Sequence, residues 1–483
     1  MRAWLTGAVA TALLVAAMPA WATSARARGV HAAAASPAAV AAIHPHHKCE
    51  HRRGSGHCAS HKRSNHRRSK PRPGASVRIG APGPAVSCTL RLHAGANIQH
   101  ALSQARPGAV VCLHAGDYGS VTIGGISPSR RITLAPVPGE RVVLRDLTVT
   151  GAPSSNLTVQ GLHIPGGVDD EAGSPGGLVF QYDTISHNAH GYGFYFDAGG
   201  NGHDGIQVGV QIRHNRIDDV GECLAVSRGA DNEHAFTFSH NICGPGIGYG
   251  DTEPKQPGHY IEIGGIVGVT VDNNAFLGPA APNVASAGLH LNVFHIFDGA
   301  RNVDFSNNIL WHTRSIGQAL LLQEGRYDHV TIDNNLDVED PACDARNSDC
   351  KSYSFWTADD HGLSFRHNTV VDSYWGVLLT DSQTGEDYDR GSGYRVTRNI
   401  VVGTVEGPDM SFGECSGSCM FDDNVTNDRS AREARSTRAI VGWPPRWTST
   451  DWTPRYPYSR PPAGYYRPVG LRYAAGYAGS IGP

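Results

Sequence analysis

VDFSNN (residues 303–308) and VTIDNN (330–335) are two copies of one phrase, a short alternation of apolar and polar residues that closes on asparagine. Outward from this pair the phrase returns as VTVDNN ending at Asn274, FTFSHN at Asn241 and VQIRHN at Asn215. In the other direction it returns as LSFRHN at Asn368 and YRVTRN at Asn399. MFDDN is a weaker copy ending at Asn424, and LVFQYD places Asp183 at the same point upstream. From Asn215 onward the steps are 26, 33, 34, 27, 33, 31 and 25 residues. A period near 30 built on two-residue alternation predicts a stacked β-coil.

The phrase has a physical reason. Each coil buries alternate Val, Ile and Phe in a narrow apolar interior, while its backbone pairs with the coils above and below. Asparagine at a corner tolerates left-handed backbone angles, and its amide can bond to the asparagine one coil away. Such a stack satisfies amides that would otherwise be buried at a cost. These asparagines are therefore structural.

A second strand follows each asparagine after a loop of variable length: YGFYFD (192–197), CLAVS (223–227), YIEIG (260–264), GLHLN (288–292), QALLLQE (318–324), YSFWT (353–357) and WGVLLTD (375–381). Length varies mainly between the two strands, and in solenoids such insertions build the binding face.

Composition agrees. Glycine makes up 58 of 483 residues and charged residues only 18%, a poor recipe for a helical bundle or coiled coil. The net charge of −3 hides an asymmetry. His44–Arg72 carries +8 and the residues before it +3, leaving −14 on the body from residue 73 onward. An acidic body argues against nucleic acid as partner. No apolar run beyond the first 25 residues is long enough to span a bilayer, which argues against membrane insertion.

Residues 1–22 have the form of a secretory signal: Arg2, an apolar run over Leu5–Ala17, and the small-x-small sequence Ala20-Trp21-Ala22. Secretion to the extracellular space or cell envelope is the expected localisation. The ten cysteines fit it, falling into the neighbouring pairs Cys49/Cys58, Cys88/Cys112, Cys223/Cys243, Cys343/Cys350 and Cys415/Cys419. Neighbour pairing is the simplest of many connectivities. Residues 23–80 are Ala-rich and then His/Arg-rich, a linker without hydrophobic periodicity. Its cluster of His44, His46, His47, Cys49, His51, His57, Cys58 and His61 reads as a solvated basic arm for anionic envelope polymers, with soft-metal binding as the alternative. Residues 81–430 form the β-helix, and the Trp/Tyr/Pro-rich residues 431–483 a C-terminal capping tail.

The repeats, together with the opening LRLHAGANIQHALSQARPGAVVCLHAGDYGSVTI (90–123), resemble the right-handed parallel β-helix superfamily called pectin-lyase-like. The resemblance implies an all-β, right-handed parallel β-helix solenoid of about ten coils. It also implies a capping helix around Ile98–Ala105 and an irregular C-terminal tail. Its functional implications are broad, since this fold hosts lyases, hydrolases, epimerases and non-enzymatic surface proteins. The polygalacturonase and pectate lyase signatures are absent. YGFYFDAGGNGHDG (192–205) is similar to a stretch of mannuronan epimerases but lacks its DPH core.

Lyases and epimerases of uronic acids need a neutralised carboxylate, a base for the C5 proton and a proton donor. The residue types for this gather on the second strands and their flanks: His203 and Asp204, Lys255, His259 and Glu262, His290 and His295 as catalytic candidates, with Gln207 and Asn292 for substrate. Polar residues in such strands are expected to point outward, about 4.8 Å from the next coil. Lys255 is one of two lysines after residue 80. Glu324, Asp359 and Asp381 form a carboxylate column suited to calcium, the candidate cofactor, or simply to a solvated edge. The expected partner is an acidic polysaccharide or cell-wall polymer. The alternative reading is a non-catalytic envelope or adhesion protein held by its basic arm.

Overall fold

The computed structural model describes residues 83–426 and the strand Arg438–Ala439, apart from 174, 189–190, 197–207, 227–233, 249–258, 279–291, 312, 314–317, 324, 340–352, 358–359, 372, 380–391, 403, 405–408, 413–418 and 423. The expected signal, the linker and nearly all of the expected tail lie outside these residues. A helix, Ile98–Gln104, stands where one was expected. Asn97 caps it by accepting from the His100 N–H at 2.9 Å, and Ile98, Ala101 and Leu102 enter the core.

Beyond it every paired strand is parallel, and each coil returns in register on the previous one. The chain is a parallel β-helix. A coil holds three strands, where the sequence suggested two. The phrase is the first, as in Gln211–Arg213. A second, Arg216–Asp218, follows the ladder residue at once, and Glu222–Val226 is the third. The second strands, two or three residues each, stack into a ten-stranded sheet of their own. First and third strands join one extended sheet because, in two coils, a third strand runs straight into the next first strand, as Ile261–Asp272 and Phe294–Ser306.

The asparagine ladder is continuous. In each rung from Asn215 to Asn399 the backbone N–H and Nδ2 both donate to Oδ1 of the next rung. For Asn274 onto Asn308 both distances are 3.0 Å. Nδ2 also donates to a first-strand carbonyl of the previous coil, at 2.8 Å from Asn274 to Phe238. Every ladder residue from Asp183 to Asn424 is at most 1% exposed. The left-handed residue at this corner is not the ladder asparagine but the one before it. Tyr182, His214, His240, Asn273, Asn307, Asn334, His367 and Arg398 all have φ between 55° and 62°. That turn aims the following amide inward.

Inside, Phe238, Phe276 and Phe305 stack with centroids 6.4 and 6.3 Å apart. Disulfides Cys88–Cys112 and Cys223–Cys243 form as the sequence suggested. Cys223–Cys243 joins a third strand to the second strand of the next coil, both ends fully buried. Cys419 is also disulfide-bonded. Cys49, Cys58, Cys343, Cys350 and Cys415 lie outside the described residues.

Candidate functional site

The third-strand face carries the polar cluster. Ile261, Ile263, Phe294 and Ile296 are fully buried, so the alternating Glu262 and His295 point outward, each half-buried. Glu262 pairs directly with His295 on the next coil. His259 sits just before its strand, only 2% exposed, its ring centroid 4.8 Å from that of His295. One ligand-type atom from each of His259, Glu262 and His295 lies within 4.8 Å of the other two, so the three side chains could hold a metal ion.

The third strands therefore bring together three of the seven catalytic candidates. His203, Asp204, Lys255 and His290 lie outside the described residues, as do Gln207 and the whole column Glu324, Asp359 and Asp381. The expectation that strand polars point outward holds for Glu262 and His295 and fails for His259 and Asn292. Asn292 is fully buried, and its Oδ1 accepts from the Gln318 N–H at 2.8 Å. Its place is structural rather than substrate-facing. Of the expected strand GLHLN only Asn292 lies within the described residues, and the strand described after it begins at Phe294. Alternation runs on through Leu289, Leu291 and Val293 and then slips by one at Phe294, so the pattern alone shows two possible frames.

His259 Nδ1 accepts from the backbone N–H of Asn292 at 3.0 Å. A neutral imidazole that accepts at Nδ1 carries its proton on Nε2. His259 thus meets Glu262 and His295 as a donor, and binding an ion through Nε2 would require that proton to leave. Of the three, only Glu262 offers the oxygen that calcium prefers.

Two residues the sequence reading passed over complete this corner. In the register that sets Leu224 opposite Ile261 and Phe294 opposite Leu320, Glu222 falls opposite His259, and Asn292 opposite Gln318. Glu222, His259, Asn292 and Gln318 form a buried row, between 0 and 6% exposed. Their place two residues before the first paired apolar residue of each third strand, as at Leu224, Ile261, Phe294 and Leu320, was the signal that could have found them.

A second depression, about 510 Å³, lies on the second-strand face between Arg141, His163, His187, Arg216, Asp218 and Asp219. Its charges are matched internally: Arg216 pairs with Asp218, His187 with Asp219 at 3.5 Å, and Arg141 Nη2 donates to His163 Nδ1 at 3.3 Å. Burial lowers the pKa of His163, which fits a neutral ring accepting from Arg141. The third-strand face is the better candidate site.

No family model matches the chain, and no curated protein does. Among solved structures it is similar to the PL6 family alginate lyase AlyGC, with TM-score 0.42 and 15% identity over 81% of this chain and 57% of that one. A mannuronic acid specific polysaccharide family 6 lyase from human gut microbiota gives 0.34 and 15% over 70% and 79%. Pectate lyase Pel9A gives 0.28 and 10% over 80% and 90%. The chain spans little more than half the length of AlyGC. That the chain is a parallel β-helix rests on its own strand pairing.

Proposed function

We propose that the protein is a secreted, polysaccharide-active enzyme of lyase or epimerase type acting on an acidic glycan. The convergence of the outward Glu262 and His295 with the buried His259 beside them carries this reading. In a lyase step, a base takes the C5 proton of a uronate, the C4–O bond breaks, and the departing oxygen takes up a proton. His295 is the base. Glu262, on the neighbouring rung, orients it and holds the proton it gains. His259, locked as an Nε2 donor, positions that carboxylate.

Apart from Arg301, on the stretch of the His295 strand that runs on as the next first strand, the described third strands contain no Lys or Arg, so charge beside His295 must come from elsewhere. Lys255, in the insertion before His259, is one source. Calcium is the other; Glu262 would contribute to holding it, and the ion would supply charge neutralisation. Incubation with pectate, alginate and glycosaminoglycans, with calcium or with chelator, tests the lyase version by absorbance of unsaturated product. Product should form on at least one substrate and vanish in Glu262→Gln and His295→Ala. Absence of product under every condition removes the lyase.

The +8 charge of His44–Arg72 favours a second role, retention on anionic wall polymer. Deleting that arm should abolish wall binding without altering turnover.

A further inference from the structure

Following the Glu262–His295 column along the helix axis leads to a second feature. His295 pairs with Leu321, and Leu321 with Trp356, so Trp356 lies two rungs on in the same outward column. Tyr353 pairs with Trp375 on the next coil. The Tyr353 ring lies 5.8 Å from that of Trp356 and 5.3 Å from that of Trp375. All three are half-buried, whereas their strand neighbour Phe355 is fully buried in the core. They are surface aromatics, not core.

In the opposite direction Glu262 pairs with Ala225, and Ala225 with Tyr195, whose ring stacks on that of Tyr192 at 4.8 Å. Aromatic side chains therefore stand two rungs, about 10 Å, to either side of the polar pair. The residues between them, Ala225 on one side and Leu321 on the other, are both buried.

We propose that Tyr353, Trp356 and Trp375 form a sugar-stacking platform for pyranose rings of a glycan chain lying along the helix axis. Tyr195 and Tyr192 take the chain on the other side. The electron-rich face of an aromatic ring attracts the C–H hydrogens on one face of a pyranose. The strands that carry these rings, Tyr192–Phe196, Tyr353–Trp356 and Trp375–Leu379, hold no Lys or Arg, so the rings grip by their apolar faces rather than by charge. The platform rests on the functional reading above for its ligand class, not for its existence.

The test titrates the full chain with tri- and hexasaccharides of mannuronate, guluronate and galacturonate, read by tryptophan emission and by gel retardation in glycan. Hexasaccharide binding should weaken roughly three- to tenfold in Trp356→Ala and in Trp375→Ala, while Trp356→Phe stays near native. Trisaccharides, too short to span the five rungs from Tyr195 to Trp356 and able to sit on the tyrosine side, should lose less. The part of the affinity lost on removing Trp356 should persist at about 0.5 M NaCl. Should Trp356→Ala fail to fold, Trp375→Ala and Trp356→Phe still decide. Native affinity in the tryptophan variants overturns the platform even if Glu262→Gln is inactive, and the enzymatic reading then survives. Tryptophan-dependent binding without turnover of any glycan has the reverse meaning. Failure of every hexasaccharide to bind or to shift tryptophan emission, as when the rings are covered by the chain's own insertions, also overturns it.

Discussion

The two buried polar corners of this solenoid are made alike and composed differently. At one, the same side chain repeats from Asn215 to Asn424, and each internal amide gives and receives the bonds its neighbours need. At the other, Glu222, His259, Asn292 and Gln318 occupy equivalent rungs with four chemistries. Uniformity lets a corner satisfy itself. Mixture sets four different chemistries beside the face on which Glu262 and His295 stand.

The largest expected effect lies on the uniform side. Asn308→Leu strands the N–H and Nδ2 of Asn274 and the carbonyl of Val271. At about 1–3 kcal/mol for each buried group left unbonded, stability should fall by several kcal/mol, seen as a lower guanidinium midpoint. A fall no larger than that of a surface control would break the contrast. On the mixed side, Asn292→Leu removes the acceptor of the Gln318 N–H, at a cost of about 1–3 kcal/mol by the same measurement.

Making the corners more alike sharpens the comparison: His259→Asn should preserve the thermal transition while lowering turnover at least about tenfold. Loss of folding with it would make His259 structural.

A pH-dependent effect concerns the first rung. Asp183 accepts from the Leu162 N–H at 2.9 Å through Oδ1, while Oδ2 is buried with no partner among the described residues. Burial raises its pKa to about 8. The neutral acid imitates the asparagine of later rungs. With the folded value above the unfolded one, this group's contribution is full below about pH 4 and is lost as pH rises toward 8, by up to roughly 1.4 kcal/mol per unit. Asp183→Asn should remove that slope from the difference between native and variant melts at pH 4 to 8.

The asparagine phrase was legible because it recurs, and because alternation shows which side chains face inward. The second strands were not. Two or three residues such as Ile242–Cys243 are too few to display a period, and only their stacking defines them. Of the site, Glu262 and His295 were readable as polar residues in an apolar strand. The burial of His259 and Asn292 was not, because it depends on the corner between strands, where no alternation applies. Trp356 and Trp375 were visible as residues, but their alignment with His295 needed the register.

Among the described coils, Glu262 and His295 ride on the two longest strands, each turning its corner without an insertion. At the second corner Gly299 has φ 78°, and a side chain there would lie 2.6 Å from the Arg326 carbonyl oxygen. That hinge point admits no other residue. Glu262 and His295 are thus continuous with the scaffold strand that follows each of them, and on the proposed reading a stiff polymer entering this face would accommodate itself to the protein rather than the reverse.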